Sequence, residues 1–239
     1  ELLLLYFAGM ILNDAFDAKR DADIRPERPI PQGVISVRNA WVVGFIMLAT
    51  AFLISLGIGI ASGLATFALI FCILLYTVFH HSSVAAIPLM ALCRGLVLVV
   101  AYSAFSPPMP AELVVFCGAI ALYTAILTFM GGAESKKCDG GAWIVWLSLI
   151  PAIIAIAFYG SSSPIAWVAF GVYFVWIWIA WRAFASAKEN KVQGMHALLA
   201  GFALLDCVLI ASISEYFIMI VSILSFALTV AAHRRILGT

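Results

Sequence analysis

Long apolar runs, separated by short polar or proline- and glycine-bearing breaks, repeat along the whole chain. No Asp, Glu, Lys or Arg occurs from Asn39 to Cys93, and none from Gly140 to Trp181. One membrane-crossing helix needs about 20 apolar residues, so each of these stretches holds more than one segment or a complete one. The pattern predicts spans at 1–16, 39–57, 60–79, 84–105, 111–130, 142–159, 164–185, 195–212 and 215–232. At this apolar density only helices satisfy their own backbone hydrogen bonds. The expected fold is all-α: a polytopic integral membrane bundle of about nine transmembrane helices, forming a single domain over 1–239. Ser106-Pro107-Pro108-Met109-Pro110 and Gly160-Ser161-Ser162-Ser163-Pro164 read as short turns.

Composition sharpens that reading. Hydrophobic residues make up 65% and charged residues 10% of the 239, against roughly 25% charged in soluble domains. A net charge of +1 gives no reason to expect a nucleic-acid partner. The five cysteines form no C-x-x-C pair and suggest neither disulfide nor cysteine-bound metal. If the nine spans alternate, 12 of the 13 lysines and arginines fall in or beside the loops near 17–38, 80–83, 131–141 and 186–194 and in the C-terminal tail. By the positive-inside rule that side is cytoplasmic, and the plasma membrane is the expected location. The chain opens at Glu1 inside an apolar run, without an initiator methionine or a basic leader, and is expected to be a fragment.

One stretch breaks the apolar pattern. Residues 13–33, NDAFDAKRDADIRPERPIPQG, hold five of the 12 carboxylates and four of the 13 basic residues. On a helix Asn13, Asp14, Asp17 and Asp21 project at about 0, 100, 40 and 80°, one broad face, with Asp23 off it. Acceptor-only oxygens crowded on one face repel unless cations sit against them, and an all-oxygen ligand set suits Mg²⁺. The plainer alternative is a solvated helix end balanced by Lys19, Arg20, Arg25 and Arg28. Position argues for function, because these carboxylates continue an apolar helix to a membrane surface. Arg25-Pro26-Glu27-Arg28-Pro29-Ile30-Pro31 then stops the helix and leaves a stiff loop whose arginine faces the acids. Cation-binding acids opposite arginine make a plausible diphosphate clamp.

This stretch resembles the first signature, N-D-x-x-D-x-x-x-D followed by R-P-x-R-P-I-P-x-G, of the UbiA superfamily of intramembrane prenyltransferases. The resemblance implies Mg²⁺ held by Asn13, Asp14, Asp17 and Asp21, with Asp17 and Asp21 central to catalysis and Arg28 on the diphosphate. It also implies an upstream helix that this chain lacks. Gly131-Gly132-Ala133-Glu134-Ser135-Lys136-Lys137-Cys138-Asp139-Gly140-Gly141 stands where the family carries its second acidic motif. Glu134 and Asp139 would complete a second metal site there, and Lys136 and Lys137 would bind diphosphate. The usual D-x-x-D-x-x-x-D is not present, however, and the loop also fits a purely topological role. Tyr76-Thr77-Val78-Phe79-His80-His81 occupies the place of the family's Tyr-x-x-x-Lys-Arg. Its two histidines offer phosphate contacts or a base near neutral pH, or simple interfacial residues. These departures resemble the EboC-like branch more than the quinone or chlorophyll branches.

Arg94 and Asp206 each fall near the middle of a span, where a lone charge is costly, and each is the other's expected partner. The tyrosines and tryptophans of the later spans read mostly as interfacial anchors or packing. The resemblance implies transfer of an isoprenoid group from a prenyl diphosphate to a lipophilic or aromatic acceptor. Partners would be those two substrates and membrane lipids, with no obligate protein partner. The alternatives are a catalytically reduced protein that binds a prenyl lipid and, with only Arg94 and Asp206 at mid-span, a transporter. The charge alternation predicts that cysteines placed at 106–110 and 160–164 are labelled by an impermeant reagent from outside intact cells; labelling only from the cytoplasmic side overturns the topology.

Overall fold

Prolines, glycines and hydroxyl caps divide the chain into helices. The computed structural model describes residues 1–105, 109–135, 142–186 and 191–236. Nine α-helices occur among them: α1 (Leu2–Ile24), α2 (Val37–Ile58), α3 (Ile60–Phe79), α4 (Ser83–Ser103), α5 (Ala111–Ser135), α6 (Ile150–Ala155), α7 (Pro164–Ala185), α8 (Lys191–Ser212) and α9 (Tyr216–Ile236). The sixth span is composite, with a tighter 3₁₀ stretch (Ala142–Leu149) before α6 and a wider π stretch (Ile156–Gly160) after it. Among the described residues, eight segments are long and apolar enough to cross a membrane. The protein is an all-helical integral membrane protein.

Helix limits follow the expected spans within a few residues. In α1 the apolar span expected over 1–16 continues as one helix through the charged stretch to Ile24, as the proline stop after it implied. Nothing between Asn13 and Ile24 forbids helix, and the first proline is Pro26. Arg25 closes α1 with φ −139°, its amide donating to the Asp21 carbonyl. Ser36, Ser82 and Ser163 begin α2, α4 and α7 by accepting hydrogen bonds from the backbone amides of Asn39, Ala85 and Ala166.

The chain divides into two compact units, 1–110 and 111–239. In the first, α1 lies against α2 along Leu5, Ala8 and Leu12, spaced to repeat on one helical face. Leu48 and Ala51 of α2, Leu69 of α3 and Val100 of α4 close this core. Between α1 and α2 the helices approach closely at Gly44, where an added Cβ would stand 2.6 Å from the Leu12 side chain. Small residues serve this purpose where lipid supplies no hydrophobic drive for helix association.

The second unit builds its interior around aromatic side chains that satisfy backbone carbonyls. Tyr123 and Tyr173 are fully buried and donate hydrogen bonds to the carbonyls of Leu198 and Ser148, each at 2.7 Å. Trp176 donates to the Ala197 carbonyl at 2.7 Å. The two tyrosines are thus interior packing, while Trp143, Trp167 and Trp178 are exposed, as anchors would be.

Gly44→Ala should lower the unfolding midpoint in detergent, because Leu12 is fully buried and overpacking costs about 1–3 kcal/mol. Gly57→Ala, with nothing within 4 Å of the added methyl, should be neutral or stabilising. Equal midpoints for the two variants would refute the close helix approach.

Candidate functional site

Past its apolar stripe, α1 turns its acids in two directions. Asp14 and Asp21, seven residues and two helical turns apart, both accept from Nη1 of Arg28, at 3.0 and 2.6 Å. Asp21 is buried and Asp14 half-exposed. A buried carboxylate requires a compensating charge, and the proline loop delivers one. That loop is fixed by its own backbone: the Gln32 amide donates to the Arg28 carbonyl at 3.0 Å and the Gly33 amide to Ile30 at 3.0 Å. The amides of Val34 and Ile35 both donate to the Pro29 carbonyl. Gly33 sits at φ +76°, where glycine avoids the penalty a side chain would incur.

Asp17 faces the end of α3 instead. His80 Nε2 lies 3.0 Å from Asp17 Oδ2, and His81 Nε2 lies 2.9 Å from Oδ1. The other ring nitrogen of His80, Nδ1, lies 2.8 Å from the Thr77 carbonyl. Two acceptors flanking one ring are both satisfied when each nitrogen carries hydrogen. His80 also caps the C-terminus of α3. Nδ1 of His81 lies 2.5 Å from Nη1 of the exposed Arg20, which donates to it. The side chains of Asp17 and His80 are only 14% and 11% exposed, against 40% for His81.

On the charged half of α1, two buried oxygens lack a hydrogen-bond donor among the described residues: Asn13 Oδ1 and Asp17 Oδ1. His81 is near the latter but not aligned to donate. Asn13 and Asp17 are one turn apart on α1, and a hard cation that prefers oxygen fits such a pair. Asp14 and Asp21, by contrast, already share Arg28. Asp23 is exposed, as its angular position predicted.

Beside Asn13 runs a cavity of about 450 Å³ between α1, α3 and α4. Its walls are mainly apolar, including Leu5, Met10, Leu69, Ile73 and Val97, with Asn13, Tyr76, Thr77 and Arg94 among the polar members. A smaller cavity of about 170 Å³ lies where Asp14, Asp21 and Arg28 meet Pro29, Pro31 and Asn39. Arg94 therefore belongs to the wall of the larger cavity; Asp206 is on α8, in the other unit.

Of the remaining sequence candidates, Lys136, Lys137 and Asp139 lie outside the described residues, and Glu134 stands in the last turn of α5. The histidine contacts with Asp17 did not follow from the sequence. Only the place of His80 and His81 in the Tyr-x-x-x-Lys-Arg position hinted at them.

Comparison with known proteins bears on this arrangement. The model of the UbiA prenyltransferase family matches residues 2–195. Digeranylgeranylglyceryl phosphate synthase of Methanothermobacter thermautotrophicus is 47% identical over 57 residues, which is 24% of this chain and 20% of that protein. The Methanosarcina mazei enzyme of the same name is 37% identical over 62 residues, 26% of this chain and 22% of its own length. That of Sulfolobus acidocaldarius is 36% identical over 73 residues, 30% and 26% respectively. The similarity thus spans about a quarter or less of these relatives. No solved structure matches the chain. With a family model matched across most of its length, the chain belongs to the UbiA prenyltransferase family.

Proposed function

We propose that this protein transfers an isoprenoid group from a prenyl diphosphate to a lipophilic or aromatic acceptor, with the charged half of α1 as the diphosphate end of the site. The observation that carries the reading is the pair of buried, donor-less oxygens on Asn13 and Asp17, with Asn13 in the wall of a largely apolar cavity. A hard divalent ion and an isoprenoid tail require those two environments side by side.

Asn13, Asp14, Asp17 and Asp21 would hold Mg²⁺. When bound, the ion neutralises charge on a departing diphosphate. Arg28 binds phosphate by exchanging its carboxylate partners for phosphate oxygens, a swap between equivalent charge-assisted hydrogen bonds. Lys136 and Lys137 add phosphate donors, and Glu134 and Asp139 form the second acidic motif. The apolar walls exclude water from the allylic carbon, so that the acceptor rather than water captures it.

The names of the relatives add a glyceryl phosphate lipid to the acceptors worth testing. The resemblance to the EboC-like branch keeps other lipophilic acceptors open. The lysine and arginine distribution supports a mouth on the cytoplasmic face, with the plasma membrane as the proposed location. A second reading, a prenyl-lipid-binding relative without turnover, is favoured by one observation: Asp14, Asp17 and Asp21 already have cationic or imidazole partners within the protein.

Purified protein given a labelled prenyl diphosphate and a glyceryl phosphate lipid should release diphosphate in the presence of Mg²⁺ and lose that activity in chelator. Donor binding without release would select the second reading. Asp17→Asn and Asp21→Asn should each weaken Mg²⁺-dependent donor binding by about tenfold or more, while Asp23→Asn changes it little. Equal losses in all three would remove the helical cation face from the account.

A further inference from the structure

Asp17, His80 and His81 each offer a ligand atom, and the three atoms lie within 4.8 Å of one another. We infer that they form a binding site for a divalent transition-metal ion of the zinc class, distinct in donor chemistry from an all-oxygen Mg²⁺ site. The inference rests on the reading of Asp17 as a cation ligand and goes beyond it in naming two imidazoles as its companions.

The donor set carries the first part of the argument. Two imidazoles and one carboxylate suit borderline ions such as Zn²⁺, Co²⁺ or Ni²⁺, which accept nitrogen readily, whereas Mg²⁺ favours oxygen. Orientation carries the second. The Thr77 carbonyl holds His80 Nδ1–H at 2.8 Å and so directs Nε2 towards Asp17. A backbone carbonyl on the far nitrogen is the usual means by which a protein fixes the tautomer of a metal-binding histidine. The third part is the donor-less Asp17 Oδ1, a buried carboxylate oxygen beside His81 Nε2.

Spacing is compatible with this chemistry. Asp17 oxygens stand 3.0 and 2.9 Å from the two Nε2 atoms. Ligands about 2.0–2.2 Å from a tetrahedral zinc lie only slightly farther apart than that, so modest widening suffices. The ion takes the place of the His80 Nε2 hydrogen, which leaves as a proton.

His81 requires one further change. Its Nδ1 now accepts from Arg20, so Nε2 becomes a ligand only when Arg20 swings away and the hydrogen moves to Nδ1. Arg20 is exposed and His81 partly so, and that movement meets solvent rather than packed protein. Arg20 thus opposes the ion by charge and by hydrogen bonding, and its removal should tighten binding.

The test uses the full chain in detergent, stripped with chelator and titrated with Co²⁺ in the absence of any prenyl donor. The expected result is one Co²⁺ with visible absorption typical of mixed nitrogen and oxygen ligands, displaced by Zn²⁺ but not by a hundredfold excess of Mg²⁺. His80→Gln and His81→Gln should each weaken binding by about tenfold or more, and Arg20→Gln should strengthen it. The His196→Gln/His233→Gln double variant controls for the stacked pair elsewhere in the chain and should leave the signal unchanged. Each variant is checked for an unaltered unfolding midpoint, and His80→Asn serves if His80→Gln misfolds. Absence of Co²⁺ binding, displacement by Mg²⁺ at comparable concentration, or full binding by the His80 and His81 variants overturns the inference and leaves an internal ion pair. Diphosphate release without Co²⁺ binding rejects the metal site alone; Co²⁺ binding without diphosphate release rejects the transferase reading alone.

Discussion

Compensation of the buried Asp21 carboxylate by Arg28 is the constraint around which the first unit is arranged. A carboxylate removed from water without a partner is costly enough to shift its protonation or unfold its surroundings. Here the partner arrives from a loop that prolines and one left-handed glycine make rigid. The same guanidinium nitrogen also holds Asp14, so one cation stabilises two acids that would otherwise repel across two turns of α1. With both acids satisfied, α1 continues as helix beyond its apolar half, with Asn13 in the wall of a mainly apolar cavity and Asp17 one turn further on.

A single helical face therefore serves two purposes. Asp14 and Asp21, closest in angle, go to the arginine loop beside α2, and Asn13 and Asp17 go to α3. The division explains how a row of acids persists in a mostly apolar chain. Two of its acids share Arg28 from nearby sequence, and the third, Asp17, meets imidazoles brought from a distant helix end. The cavity that Asn13 borders keeps mainly apolar walls, with Arg94 and Tyr76 among its polar members.

Much of this was legible in the sequence. Charge-free runs placed the spans because lipid tolerates little else, and R-P-E-R-P-I-P marked the end of α1 because proline lacks the amide hydrogen a helix needs. The opposition of Arg28 to the acids followed from that stop. What the sequence did not disclose were long-range contacts: periodicity gives the angle of Asp17 but not the identity of the helix across from it. The burial of Tyr123 and Tyr173 was equally hidden, since an aromatic at a span's interface and one donating to a carbonyl inside a bundle look alike in a linear pattern. The composite sixth span was expected only as a helix, because a change of pitch at Ile150 and again at Ile156 has no distinct hydrophobic period.

The two clamps on α1 differ in how much chain they enclose, and this sets an order of assembly. Asp21 and Arg28 are seven residues apart and Asp17 and His80 sixty-three. The first pair can close as soon as the turn after α1 has left the ribosome, since a short loop loses little entropy on closure. The second must wait until α2 and α3 have both been inserted. A nascent chain thus carries Asp17 without its histidines through two rounds of insertion, and completion of α3 is the event that closes this second clamp.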